Sequence, residues 1–150
     1  MNPVSDTPID HRALAAAYFN GTWTLLDRAD RTVDEDDAML HMAHASRHHW
    51  GQVGGPEHRA RGEWQISRVY SVLGRGEPAL YHARRCLEIC TENGIGDWDL
   101  GFAYEALARA STVAGDRAAA SDWLARARAA AHDIAEDEDR DLLLSDLATI

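Results

Sequence analysis

Residues 41–50 read HMAHASRHHW, which sets His41, His44 and His48 at i, i+3 and i+7. On a helix turning about 100° per residue, these three imidazoles fall within about 60° of one another. Such a set can converge on Zn²⁺ or a similar divalent metal, with Glu63 or His82 completing it, if each nitrogen lies about 2 Å from the ion. The same flank, His41, His44, His48, Glu63 and His82, could line a small-molecule or enzymatic site, since imidazoles serve as acid or base near neutral pH. The plainer reading is structural: histidines bonded across helix interfaces, paired with carboxylates, or facing water. The pattern is not HExxH and no Cys-x-x-Cys accompanies it, so no metal is assigned and no other cofactor is expected. Gly-rich phosphate loops, nucleophile elbows and paired-carboxylate motifs are absent from the sequence, and no catalytic residue is assigned.

A second constellation is spread along the chain. Trp23, Trp64 and Glu105 recur at equal spacing, as do Asp27, Arg68 and Arg109, while Asn20, Arg61 and Phe102 lie about a turn earlier. Two indoles supply stacking surface, and guanidinium groups suit carboxylates or phosphates. The competing reading packs the tryptophans between units and pairs the arginines with neighbouring acids.

These residues need helices to position them, and helix punctuation recurs throughout. Thr7-Pro8 suits an N-cap and first turn, opening a helix through about Asp30. Thr32 with Glu35 forms a capping box, and Asp34, Asp36 and Asp37 add negative charge at the positive end of the second helix. That helix carries the histidines, turns Ala38, Met42, Ala45 and His49 towards its partner, and stops at GQVGG. Pro56-Glu57 and Glu77-Pro78 open the third and fourth helices, which end at Gly74 and Asn93-Gly94. Asp97 and Asp116 cap the fifth and sixth, and Asp137 caps a short seventh bearing Leu142, Leu143, Leu147 and Ile150. No strand is needed, so the expectation is all-α.

The chain repeats with a period of about 41 residues. Ala38, Ala79 and Ala120 fall in one register, as do Leu25, Ile66 and Leu107, and Ala45, Cys86 and Ala127; His41 aligns with His82. In the middle unit Ile66, Ser67, Tyr70, Gly74, Ala79 and Cys86 stand where tetratricopeptide repeats carry Leu, Gly, an aromatic, the turn glycine and two small residues. The third unit matches through Leu107, Ala108, Gly115, Ala120, Leu124 and Ala127. The first fits through Leu25, Leu26, Ala38, Met42 and Ala45, with Val33 in place of the turn glycine. The chain thus resembles that family over roughly residues 20–131, in a variant longer than the usual repeat of about 34 residues.

The resemblance implies an α-solenoid in one domain, 1–150. It would hold three antiparallel helix pairs (8–51, 56–94 and 97–135) and a capping helix, 137–150. It also implies a concave groove lined by the first helix of each pair, placing Trp23, Asp27, Arg61, Trp64, Arg68, Glu105 and Arg109 as partner-binding residues. The expected partner is a protein or peptide, an acidic one if the arginines are free. A purely structural role, with a second copy covering the concave face as a homodimer, is the remaining alternative.

Composition bounds these readings. Asp and Glu number 25 against 15 Lys and Arg, a formal net charge of −10. That disfavours general attraction to nucleic acid or anionic membrane. The first residues, MNPVSDTPIDHR, carry no basic n-region or apolar h-region, and no apolar run is long enough to span a bilayer. Cys86 and Cys90, at i, i+4, are poorly oriented for a disulfide and read as packed apolar groups. A cytoplasmic protein is the expectation.

Overall fold

The structure, a computed structural model, describes residues 7–150. The first half of the leader reading, MNPVSD, lies outside the described residues. Seven helices follow one another: α1 (His11–Leu26), α2 (Val33–Val53), α3 (Pro56–Val72), α4 (Gly76–Glu92), α5 (Asp97–Val113), α6 (Arg117–Ala131) and α7 (Asp137–Leu147). Among the described residues there is no strand, and no helix is long and apolar enough to cross a membrane. Adjacent helices pack in pairs, α1 on α2, α3 on α4 and α5 on α6. The odd-numbered helices also meet in succession, α1 with α3, α3 with α5 and α5 with α7, whereas α2 reaches α4 through side chains, the ring of His44 meeting that of His82 edge-on at 5.5 Å.

The ends of the helices follow local chemistry, with corrections. α1 begins at His11, where Asp10 accepts the N–H of Ala13 at 3.0 Å, rather than at Thr7-Pro8, and it ends at Leu26, short of Asp30. Thr32 caps α2 by accepting the N–H of Glu35. Gly74 and Gly115 take φ of 73° and 82°. Each lets the next N–H reach back, Arg75 to Tyr70 O at 2.8 Å and Asp116 to Ser111 O at 2.9 Å. A left-handed residue closes a helix in this way and satisfies its last carbonyls. The first pair has no such glycine, and Arg31 substitutes: its guanidinium donates to the carbonyls of Leu25 and Arg28 and pairs with Asp36. Asp97 is not the cap of α5. Gly96 holds that position, while Asp97, at φ 52°, accepts the N–H of Ala135 at 2.9 Å and ties the α6–α7 turn to α5. Glu136, not Asp137, precedes α7 as its N-cap.

The core runs between pairs as connected clusters. Met39, Ala43, Ile66 and Val69 join α2 to α3; Ala79, Ala83, Ala106, Leu107 and Ala110 join α4 to α5. On α2 the buried residues are Met39, Ala43 and Ser46, while Ala38 is exposed and Met42, Ala45 and His49 are half-buried. The expected seam is therefore rotated by one residue. α7 covers the end of the last pair, burying Leu143 and Leu147 against Phe102, Ala127, Ala131 and Ile134. Each such leucine contributes about 1.5–3 kcal/mol on burial.

Candidate functional site

A cleft of about 580 Å³ opens on the odd-numbered helices. Phe19, Trp23 and the C-cap Asp27 line it from α1 and its end, Arg61, Trp64 and Arg68 from α3, Trp98, Asp99 and Phe102 from α5, and Asp139, Leu142 and Asp146 from α7. Residues at i, i+4 and i+8, or i, i+3 and i+7, share one helix face, so the lining residues of α1, α3 and α7 each form a stripe, while Trp98 and Asp99 stand one turn before Phe102 on α5. Ala60 and Cys86 also line the cleft. Clefts of about 300–1,000 Å³ with apolar walls and few polar groups suit organic ligands or side chains.

The aromatic wall is continuous. Trp23 and Trp64 lie with ring centroids 5.4 Å apart, and Trp64 meets Phe102 edge-on at 5.6 Å. Behind it sits a wholly buried carboxylate, Glu105. It accepts the indole N–H of Trp64 at 3.1 Å, Arg68 Nη1 at 3.0 Å and Arg109 Nε at 2.7 Å. Arg109 further donates to Asp146 O and Thr149 Oγ1, anchoring the end of α7. Arg61 forms a two-bond pair with Asp99 at 3.0 and 3.1 Å, and its guanidinium lies 4.4 Å from the Trp98 ring centre. That hydrogen-bonded pairing raises the Arg61 pKa above its ordinary value, whereas burial lowers that of Arg68 despite Glu105 beside it.

Of the expected groove residues, Trp23, Asp27, Arg61, Trp64 and Arg68 line this one cleft. Glu105 and Arg109 do not; they form the ion-pair network behind the wall. The arginines are not free for an acidic ligand. Arg61 is met by Asp99, and Arg68 and Arg109 by Glu105, with Asp146 3.8 Å from Arg68. Sequence reasoning missed Phe19, Trp98, Asp99, Asp139, Leu142 and Asp146 as lining residues. The signal present was the i, i+3, i+7 stripe of Asp139, Leu142 and Asp146 on α7.

The histidines go elsewhere. His41, His44 and His48 are exposed, and they do not converge. His44 Nε2 bonds Tyr70 Oη at 3.0 Å, and His48 meets the ring of His49 edge-on. His82 Nδ1 bonds Glu63 at 2.6 Å, and Arg47 Nε donates to the same carboxylate at 3.1 Å. Burial alone would raise the Glu63 pKa, but His82 and Arg47 outweigh it and bring it below the ordinary value. Glu63 therefore links α2, α3 and α4, and no group of three His, Cys, Asp or Glu side chains that could hold a metal exists among the described residues. One contact was unforeseen: His11 Nδ1 and His49 Nδ1 lie 2.8 Å apart, joining α1 to α2. Cys86 and Cys90 are buried free thiols on α4.

No family model, no curated protein and no solved structure matches the chain.

Proposed function

We propose that this protein is a non-catalytic helical-repeat module that binds an extended peptide segment of a partner protein in the cleft across α1, α3, α5 and α7. The observation that carries this is the aromatic cleft itself, about 580 Å³, with Trp23, Trp64, Trp98 and Phe102 in its wall and Leu142 left 57% exposed at its rim. A half-open apolar wall backed by a fixed ion-pair network is suited to capture, because the rings are held before the ligand arrives. The reading also takes the helix pairs as a tetratricopeptide-like solenoid. Its support is the succession of contacts among the odd-numbered helices, the matching turns at Gly74 and Gly115, and α7 laid over the last pair.

The test is selection of peptides from a random library on the wild-type protein and on Leu142→Glu. Leu142 is exposed, so this change leaves the core alone while placing a charge at the rim. Selected peptides should alter indole fluorescence saturably in the wild type and bind the variant at least about tenfold more weakly, one unit of about 1.4 kcal/mol. Peptides that bind both equally, or none enriched at all, would sink the reading.

A further inference from the structure

Resting on that reading, we propose that the peptide this cleft accepts is basic, with lysine or arginine side chains set between apolar residues. Charge balance in the cleft is the first argument. Arg61 is neutralised by Asp99, and the two guanidiniums of Arg68 and Arg109 face Glu105 and Asp146. What remains is Asp27, exposed, and Asp139, half-buried, both without a partner among the described residues. They stand at the end of α1 and on α7, so the uncompensated charge of the cleft is negative. The whole chain, at −10, reinforces that field.

The second argument is that the cleft already holds a cation in the manner proposed. Arg61 lies over Trp98 with its charge met by Asp99. Trp23 and Asp27, four residues apart at the end of α1, offer an incoming cation the same pair of groups, an indole and a carboxylate. An acidic segment fares differently. To reach a guanidinium it must displace Asp99 or the buried Glu105 and leave that carboxylate unpaired, which is strongly unfavourable. The apolar residues of the segment would lie on Trp64, Phe102 and Leu142.

The sequence contains no lysine, which makes the test direct. Three blocked peptides of pattern Leu-X-Leu-X-Leu, with X as Lys, Gln or Glu, are titrated against indole fluorescence. Zero-length carbodiimide coupling then joins carboxylates to the amines of the Lys peptide, with the coupled sites read by mass spectrometry. The Lys peptide should bind about threefold to tenfold tighter than the Gln peptide, the Glu peptide weakest, and adducts should map to Asp27 and Asp139. The advantage should disappear in Asp27→Asn/Asp139→Asn and shrink at high salt. If the Gln or Glu peptide binds as tightly as the Lys peptide, the cleft still takes peptides but the charge inference falls. If none binds, the reading of the cleft as a peptide site falls with it. Adducts confined to the acidic run at 34–37 would overturn the placement. Phenethylammonium coupling to Asp27 as efficiently as the peptide would overturn a peptide as the source of the cation.

Discussion

Replacing Glu105 by glutamine tests whether one buried carboxylate holds the wall of the cleft. Glu105 accepts from three donors, Trp64 Nε1, Arg68 Nη1 and Arg109 Nε, and is 0% exposed. Glutamine keeps the shape but removes the charge and turns one acceptor into a donor. With its amide nitrogen at the Oε2 position it faces the indole N–H; at the Oε1 position it faces two guanidiniums. Either orientation leaves a donor unmet, and Asp146, 3.8 Å from Arg68, becomes the remaining counter-charge. Removing one member of a buried ion pair costs about 3–5 kcal/mol. The arginine side chains keep 17% and 15% exposure, so water recovers part of this and about 2–4 kcal/mol is expected. At roughly 2–4 °C per kcal/mol for a chain of this size, Tm falls by about 5–15 °C. Urea unfolding followed by far-ultraviolet circular dichroism measures the free-energy loss, and a thermal melt the fall in Tm. Glu88→Gln, which breaks an exposed pair with Arg85, is the control and should cost less than about 0.5 kcal/mol. Adding Arg68→Met to Glu105→Gln removes one orphaned cation, so the double variant should lose less than the sum of the two. A Glu105→Gln loss no larger than that of the control would refute the argument.

Two further outcomes follow from other parts of the fold. A Cβ on Gly76 would stand 2.7 Å from Ala114 Cα, a backbone atom that cannot swing aside; Gly76→Ala should therefore force α4 from the end of α5 and cost about 1–3 kcal/mol in a urea melt, although alanine is the better helix former. Partial loss of hydration against neighbouring side chains is the main cause that lowers the His44 and His49 pKa values from 6.5, even though part of the His44 side chain stays exposed, with His82 and His41 adding repulsion and Glu63 partly opposing at His44, and His11 and His48 adding repulsion at His49. The unfolded chain then binds more protons than the folded one below 6.5, so this contribution to stability is full above that pH and is lost as pH falls through the lower folded values. Glu63, also held below its ordinary 4.5, adds a further loss at more acidic pH. The urea midpoint should be level from about pH 8 to 7 and decline below about 6.5, less steeply in His49→Gln; a midpoint unchanged down to about pH 5 would contradict it.

The helices were legible because their ends are written locally: Thr32, Asp116 and the turn glycines each act on atoms a few residues away. The facing of α2 was not. The repeat register places Ala38 with Ala79, yet the structure buries Met39, Ala43 and Ser46 where the next pair buries Ala79, Ala83 and Cys86. One residue out of register turns a helix by about 100°, enough to expose Ala38 and to cancel the equivalence of His41 with His82. The cause lies in the α1–α2 connection. It has Arg31 bonded to carbonyls instead of a left-handed glycine, so its length need not obey the repeat.

The cleft was half legible for a related reason. Trp23, Trp64, Arg61 and Arg68 share registers that the period reveals, whereas Asp139, Leu142 and Asp146 enter only because α7 folds back over α5, a non-local event. What sequence could not decide was the role of the arginines, since free and paired guanidiniums have the same spacing. Glu105 decides it. At the register where two units carry tryptophan, the third carries a carboxylate, and in the folded chain it meets one of those indoles and both Arg68 and Arg109. That replacement makes two expected binding residues into supports and leaves the aromatic wall, with Asp27 and Asp139 unpaired among the described residues, as the surface proposed to meet a ligand.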